Sequence, residues 1–372
     1  MVTTQRTILV TGGTGFVGES VVRELCGSGY SVRVMTRNVS RTQKLAQIEG
    51  VEIVEGDIYQ PEDVALACRE AQAVIHLVGI LHQSFANPFE KVHVEATRSV
   101  IEGVKKAGVN RYIHMSALGT RMNARSQYHR TKWAGEEIVR TSGLEWTIFR
   151  PSLIFGPGDG FVNFLTKFLT YPLNVLSLYT FPRLGGGKSL FQPIAVENVA
   201  QAFVRALSHE DSIGRTYDLC GEEQLSLTEI LQKIIETTGQ RSEVENFPFR
   251  TIVRQGVWAL SLCLPLIMVV TIYLSLGLPI ELIFGLIWLG MVIIALRWKS
   301  IILFTLPWPM AFLLAALVQN VWIFGAPLLT VDNLIMLQDG NTGDHKIAQR
   351  AFELRLKSFQ TGIQSYIGGN YA

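Results

Sequence analysis

The sequence predicts an α/β protein built on a doubly wound parallel sheet, with a smaller C-terminal lobe and an inserted hydrophobic helical hairpin. Three observations predict it. Strand-like and helix-like segments alternate up to Pro151, the pattern of parallel βαβ units with right-handed crossovers. A glycine-rich turn joins the first strand to the first helix. Finally, charged residues make up 17% of the 372 positions but are unevenly spread. Residues 251–330 carry only four, Arg254, Glu281, Arg297 and Lys299, while elsewhere the density is near the globular average.

Each element follows from its local pattern. Thr7–Val10 is a short apolar run that ends in glycines, hence a strand. Phe16–Leu25 has the apolar spacing of a helix and stops at Gly27-Ser28-Gly29. Ser31–Thr36 and Val51–Val54 read as strands, with Pro61–Ala67 as a short helix after them. Ala73–Val78 is a buried strand, and Pro88–Ala107 a long helix stopped by Gly108. Tyr112–Met115, Gln127–Thr141 and Trp146–Arg150 continue as strand, helix and strand. Beyond Pro151, Gly156–Gly160 and Gly185–Lys188 read as loops, the second a flexible one, and Glu197–Ser208 and Leu227–Thr238 as helices.

The apolar block is long enough to cross a bilayer. Val257–Leu276 has no charge, Gly277-Leu278-Pro279 is a turn signal, and Ile280–Leu296 has one charge beside that turn. Arg250 and Arg254 precede it, and Arg297 and Lys299 follow it. Positive charge at both outer ends predicts a hairpin whose ends lie on one side, cytoplasmic or organellar matrix. Two buried core helices are the alternative. The expected organisation is therefore 1–250 as the main domain with the start of the lobe, 255–297 as the membrane hairpin, and 299–372 as the remaining lobe and tail. Pro307–Phe324 reads as a lobe helix, with a membrane or interfacial element as the alternative. The tail from Asp339, helical over Lys346–Phe359, is expected to be peripheral.

Composition narrows the function. A net charge of +2 gives no general attraction to nucleic acid. Cys26, Cys68, Cys220 and Cys263 are scattered, which disfavours a zinc site, a redox dithiol or a disulfide scaffold. The seven histidines show no metal spacing, and His76 and His114 lie in strands, where packing is the plainer role. The polar start, Val2 to Arg6, leads directly into a strand, so no signal or transit peptide is expected.

Gly12, Gly15 and Gly18, in the run TGGTGFVG, have the spacing a dinucleotide needs: a tight turn, a close backbone approach to pyrophosphate, and close packing of helix on strand. Thr14, Phe16 and Val17 complete the candidate site. At the end of the second strand stand Arg37 and Asn38, with Arg33 and Arg41 nearby, where an acidic residue would bind the ribose of NAD. A guanidinium there suits a 2′-phosphate, so NADP(H) is expected ahead of NAD(H). Asp57 and Ile58 are candidates for the adenine, Val78 and Gly79 for the path past the fourth strand, and Pro151 for the end of the sixth. Tyr128 and Lys132, four apart in a helix, share one face. They would border the nicotinamide ribose, with the ammonium lowering the tyrosine pKa so that the phenol could act as acid or base. Ser116 could hydrogen-bond a substrate oxygen.

These runs, with Arg150–Asp159 (RPSLIFGPGD) and Gln192–Ala200 (QPIAVENVA), resemble the extended or atypical short-chain dehydrogenase/reductase superfamily over about residues 6–240. Met115–Gly119 and Pro327–Leu334 (PLLTVDNL) are similar to the branch that holds the NAD(P)H-binding accessory subunit of respiratory complex I and its bacterial relatives. The resemblance implies a Rossmann-type sheet, a tightly held structural nucleotide and respiratory-complex subunits as partners. Elsewhere the superfamily implies epimerases, dehydratases and reductases acting on nucleotide sugars, steroids or quinone-like compounds. The chain departs from the branch by its hydrophobic hairpin. It keeps both Tyr128 and Lys132, while Ser116 lies closer to the tyrosine than the extended class usually places its serine. Two functions follow: a membrane-anchored NADP(H)-binding component of a membrane complex, or a membrane-bound oxidoreductase or epimerase with a lipophilic or sugar-nucleotide substrate.

Overall fold

The computed structural model describes residues 6–169, 180–245, 300–318, 322–323, 326–327 and 330–367. The expected hairpin, 255–297, lies outside the described residues. No helix among the described residues is long and apolar enough to cross a membrane. The chain divides into two compact units. The first comprises Met1–Asp159, Ser189–Leu225 and Leu314–Gly362; the second comprises Gly160–Lys188, Ser226–Leu313 and Ile363–Ala372.

Seven parallel strands form the sheet of the first unit. In chain order its elements are β1 (Thr7–Thr11), α1 (Phe16–Gly27), β2 (Ser31–Thr36), β3 (Val51–Glu55), α2 (Pro61–Ala67), β4 (Ala71–His76), α3 (Ala96–Lys106), β5 (Arg111–Met115), α4 (Gln127–Arg140) and β6 (Glu145–Pro151). The order across the sheet is β3-β2-β1-β4-β5-β6, and a seventh strand, Arg215–Leu219, pairs in parallel with β6. The order reverses between β1 and β4, the place where doubly wound sheets bind ligands.

Alternation along the strands divides the core. Ile8, Val10, Val32, Val34, Ile75, Ile113 and Phe149 face α1 and the helix Val196–Ala206. Leu9, Met35, Val74, Tyr112 and Ile148 face α2, α3 and α4. Both faces are covered, so the strands carry near-continuous apolar runs, as parallel strands must.

Three expectations change. The helix expected over Pro88–Ala107 is present, but it is not regular: a π-helical turn, Lys91–Glu95, leads into α3. There the Thr97 hydroxyl donates to the His93 carbonyl at 2.7 Å, and a Cβ on Gly135 of α4 would lie 2.7 Å from that same carbonyl. The tail is not peripheral: Phe352 is buried and packs on Phe149 and Tyr217 at 5.2 and 4.9 Å. The run Gly185–Gly187 is a tight turn rather than a flexible loop.

The second unit has a three-stranded parallel sheet in the order Arg241–Glu245, Ser300–Leu306, Thr180–Leu184. The buried Arg183 donates to the carbonyls of Leu303 and Gly186, which fixes that glycine turn. Helices Phe161–Leu169 and Leu227–Thr237 accompany the sheet, the latter held by a capping box of Ser226 and Glu229. The apolar stretch Pro307–Phe324 forms a helix over Trp308–Val318.

Candidate functional site

The turn between β1 and α1 is built around absent side chains. Gly12 has φ +79°, and a Cβ there would lie 3.0 Å from the backbone of Leu77 and Val78. On Gly18 a Cβ would lie 2.2 Å from the Gly12 carbonyl oxygen, so only glycine lets α1 sit this close to the turn. The Gly15 amide donates to the Gly12 carbonyl at 3.1 Å. Gly15 caps α1 and no side chain accepts from the first-turn amides. Thr14 and Gly15 are exposed, Phe16 is half-buried and Val17 is buried. A helix start with unclaimed amides and room against its glycines fits the pyrophosphate of a dinucleotide.

The adenosine end is divided between locally committed and available groups. The Asn38 side chain is committed locally, where it accepts from the Ser40 amide at 3.1 Å and caps the turn Val39–Thr42. Asp57 accepts from the Tyr59 amide at 3.2 Å and donates its own amide to Asp63 at 2.9 Å. Ile58 is buried beside it. Arg33, near Arg37 in sequence, is committed to Glu52 and to the carbonyls of Ala67 and Arg69. Arg37 remains, exposed at the end of β2, with its guanidinium carbon 5.8 Å from the centre of the Tyr59 ring. The Lys91 ammonium lies 5.2 Å from the same ring centre. Arg37 makes no ion pair among the described residues and could hold a 2′-phosphate.

Tyr128 and Lys132 share one buried face of α4. The tyrosine ring meets Phe89, His93 and His129 edge-on at 5.7, 5.4 and 5.2 Å. Ala117, Ile80 and Met336 complete an apolar pocket around it. Burial pushes the Tyr128 hydroxyl above its ordinary value. This corrects the expectation of a phenol lowered by the lysine, because the apolar surroundings dominate. Lys132 donates to the Met115 carbonyl at 3.1 Å, and its ammonium lies 2.8 Å from where a Cβ on Gly79 would be. Burial pushes its pKa down to about 8, opposed by Glu136. Val78 and Gly79 follow the end of β4, and the buried Pro151 accepts from the Leu118 amide at 2.8 Å. Ser116 is buried with its hydroxyl 3.4 Å from that of Thr120, and among the described residues no hydrogen bond joins it to Tyr128.

Some of the residues that shape the site carry no sequence signal. His93, in the π-turn, packs on Tyr128 and hydrogen-bonds to α4. Asp332, some 200 residues away in sequence, accepts from the amides of Gln127 and Tyr128 at 2.7 and 3.2 Å and so holds the start of α4. The PLLTVDNL run marked that segment without indicating what it does. Behind Lys132, His76 and His114 stack at 5.5 Å. Burial, then the Lys132 charge, pushes His76 down to about 3. Among the described residues no cluster is arranged to hold a metal ion.

Comparison with known proteins extends this reading. Over 236 residues the chain is 30% identical to subunit 9 of the 1 alpha subcomplex of mitochondrial NADH dehydrogenase (ubiquinone) from Mus musculus. That match covers 62% of this chain, which spans 60% of the mouse protein. Ceramide reductase from Caulobacter vibrioides is 34% identical over 152 residues, 41% of this chain and 47% of the relative. The solved structure of DesIV, a dTDP-glucose 4,6-dehydratase from Streptomyces venezuelae with NAD bound, shares the fold at 22% identity and a TM-score of 0.54, covering 63% of this chain and 81% of that one. Residues 8–220 match the NAD dependent epimerase/dehydratase family, and with the glycine turn, Tyr128 and Lys132 standing inside that span, the chain belongs to this family.

Proposed function

We propose that this chain is a membrane-anchored NAD(P)H-binding protein that serves as an accessory or assembly component of a respiratory assembly of the complex I (NADH:quinone oxidoreductase) type. The observation that carries the reading is its 236-residue similarity to a mitochondrial complex I subunit. The nucleotide is held as a structural ligand. The α1 amides and the glycine turn take the pyrophosphate, Asp57 and Ile58 the adenine, Arg37 the 2′-phosphate of NADP(H), and Tyr128 with Lys132 the nicotinamide ribose. A buried phenol raised above its ordinary value, among apolar side chains, suits a retained ribose contact better than rapid proton exchange. The apolar block 255–297, with basic residues at both ends, supplies the anchor and keeps the globular part on the cytoplasmic or matrix side.

A pull-down of the tagged full-length protein in mild detergent tests this, with mass spectrometry of partners and of bound nucleotide. Respiratory-complex subunits in stoichiometric amount, with NADPH retained, are expected. A solitary protein that exchanges nucleotide freely sinks the reading. In addition, deletion of 255–297 should release the protein from membranes.

The second reading is an NADP-dependent oxidoreductase acting on a lipophilic substrate, and two observations favour it. Tyr128 is packed among the apolar side chains of Phe89, Ala117, Ile80 and Met336, and a relative is a ceramide reductase. A bound nicotinamide would exchange hydride there, Tyr128 would hold the proton and Lys132 the ribose. Tyr128→Phe abolishes turnover in this reading and leaves complex assembly intact in the first.

A further inference from the structure

His93 occupies a place that no function above has used. It lies in the π-turn Lys91–Glu95, is buried, and touches three elements at once. Its Nε2 accepts from the Ile80 amide at 3.2 Å, so that nitrogen carries no proton. Its Nδ1 lies 2.9 Å from the Thr131 hydroxyl and, in the tautomer that remains, donates to it. The Thr131 hydroxyl in turn donates to the carbonyls of Gln127 and Tyr128 at 3.1 and 3.0 Å. A one-way chain therefore runs from the Ile80 amide through His93 and Thr131 to the tyrosine turn of α4. The ring also stacks on Phe89 at 5.4 Å and meets Tyr128 edge-on at 5.4 Å.

The ends of this chain matter. Ile80 follows Gly79, whose open face lies against the Lys132 ammonium, and a Cβ on Gly79 would come within 3.8 Å of His93 Nε2. Thr131 precedes Lys132. His93 thus spaces the loop Val78–Ile80 from the two side chains that would meet the nicotinamide ribose. We propose that His93 is a positioning residue for the nicotinamide half of the nucleotide, setting the gap between the Gly79 backbone and the Tyr128–Lys132 face while leaving the adenosine half untouched. This rests on the reading that the site holds NAD(P)H. The residue remains neutral because burial, then the Lys132 charge, pushes it down to about 2.

Direct binding to the full-length protein in detergent separates this role from general damage. Affinity is measured for the dinucleotide the protein retains and for its adenosine half alone, adenosine 2′,5′-bisphosphate or AMP. His93→Leu removes both polar links, and His93→Gln can supply an acceptor and a donor in their place. We expect His93→Leu to lose about tenfold for the dinucleotide and less than about twofold for the adenosine half, with His93→Gln recovering most of the loss. Thr131→Val, which is isosteric, breaks the next link and should show the same split if His93→Leu fails to fold. Equal losses for both ligands, or none for the dinucleotide, overturn the proposal. A wild-type protein that binds neither ligand overturns the nucleotide reading first, and this inference with it.

Discussion

Replacing His114 by Phe should make the protein relatively more stable in acid. His114 stacks on His76 at 5.5 Å and on Tyr112 at 6.2 Å, in the layer between the sheet and α3 and α4. Its Nδ1 is buried and unpartnered, and burial holds the ring well below its ordinary 6.5. The folded pKa is therefore depressed, and between it and 6.5 the unfolded chain binds the extra proton. Stability is present above 6.5 and is lost as pH falls below it. Linkage gives a cost of about 0.2 kcal/mol at pH 7 and about 2 kcal/mol at pH 5. Phenylalanine keeps the ring stack, does not titrate, and removes a nitrogen that lacks a partner. The stability of His114→Phe relative to wild type should thus rise by about 2 kcal/mol between pH 7 and pH 5. Urea unfolding of both proteins at the two pH values, followed by tryptophan fluorescence, measures the difference. An offset that does not change with pH refutes the reasoning, because it means that His114 accepts its proton in the folded state.

Arg37→Glu should weaken NADPH far more than NADH, by tenfold or more, and calorimetry with both nucleotides decides; equal loss removes the 2′-phosphate assignment. Gly18→Ala puts a Cβ 2.2 Å from the Gly12 carbonyl and 2.6 Å from Gly13 Cα. It should cost about 1–3 kcal/mol in thermal unfolding and most of the nucleotide affinity. Glu136, fully buried on α4, accepts from Arg140 at 2.6 Å and from Arg150 at 2.8 and 2.6 Å. Glu136→Gln leaves Arg150 short of its counter-charge, while Arg140 keeps Glu137 at 2.6 Å, and should destabilise by about 3 kcal/mol in denaturant unfolding.

What could be read from the sequence was what repeats locally. Strand and helix periods gave the alternation, and each glycine of the first turn stands where its spacing predicted, because each answers to a neighbour a few residues away. Tyr128 and Lys132 share a face because helical spacing dictates it. Partnerships across the fold left no local trace. Arg33 stands close to Arg37 in sequence, yet it reaches to Glu52 and to the carbonyls of Ala67 and Arg69 at the end of α2. Arg215–Leu219 is a short edge strand whose pairing with β6 cannot be read from five residues. The π-turn at His93 interrupts an otherwise regular helical pattern, and it stands where Gly135 on another helix lies close against the His93 carbonyl.

The tail illustrates the same point at the site itself. Helix α4 begins at Ser126, whose hydroxyl accepts from the His129 amide at 3.2 Å, but its next two amides are taken by the Asp332 carboxylate. A negative charge at a helix start is favourable, and here it fixes the turn that carries Tyr128. The helix Val331–Asp339 that bears Asp332 is itself tied down at both ends. Thr330 caps its start by accepting from the Asn333 amide at 3.1 Å, and Asp339 at its end pairs with Arg121 and Arg125 at 3.0 and 3.3 Å. Between these ties Met336 closes the apolar pocket around Tyr128. The tyrosine pocket is therefore completed by residues that follow the apolar block in sequence, while its glycine turn and tyrosine precede that block. Both sets of residues, on either side of the block in sequence, belong to one compact unit, and both must be folded before Tyr128 is held in place.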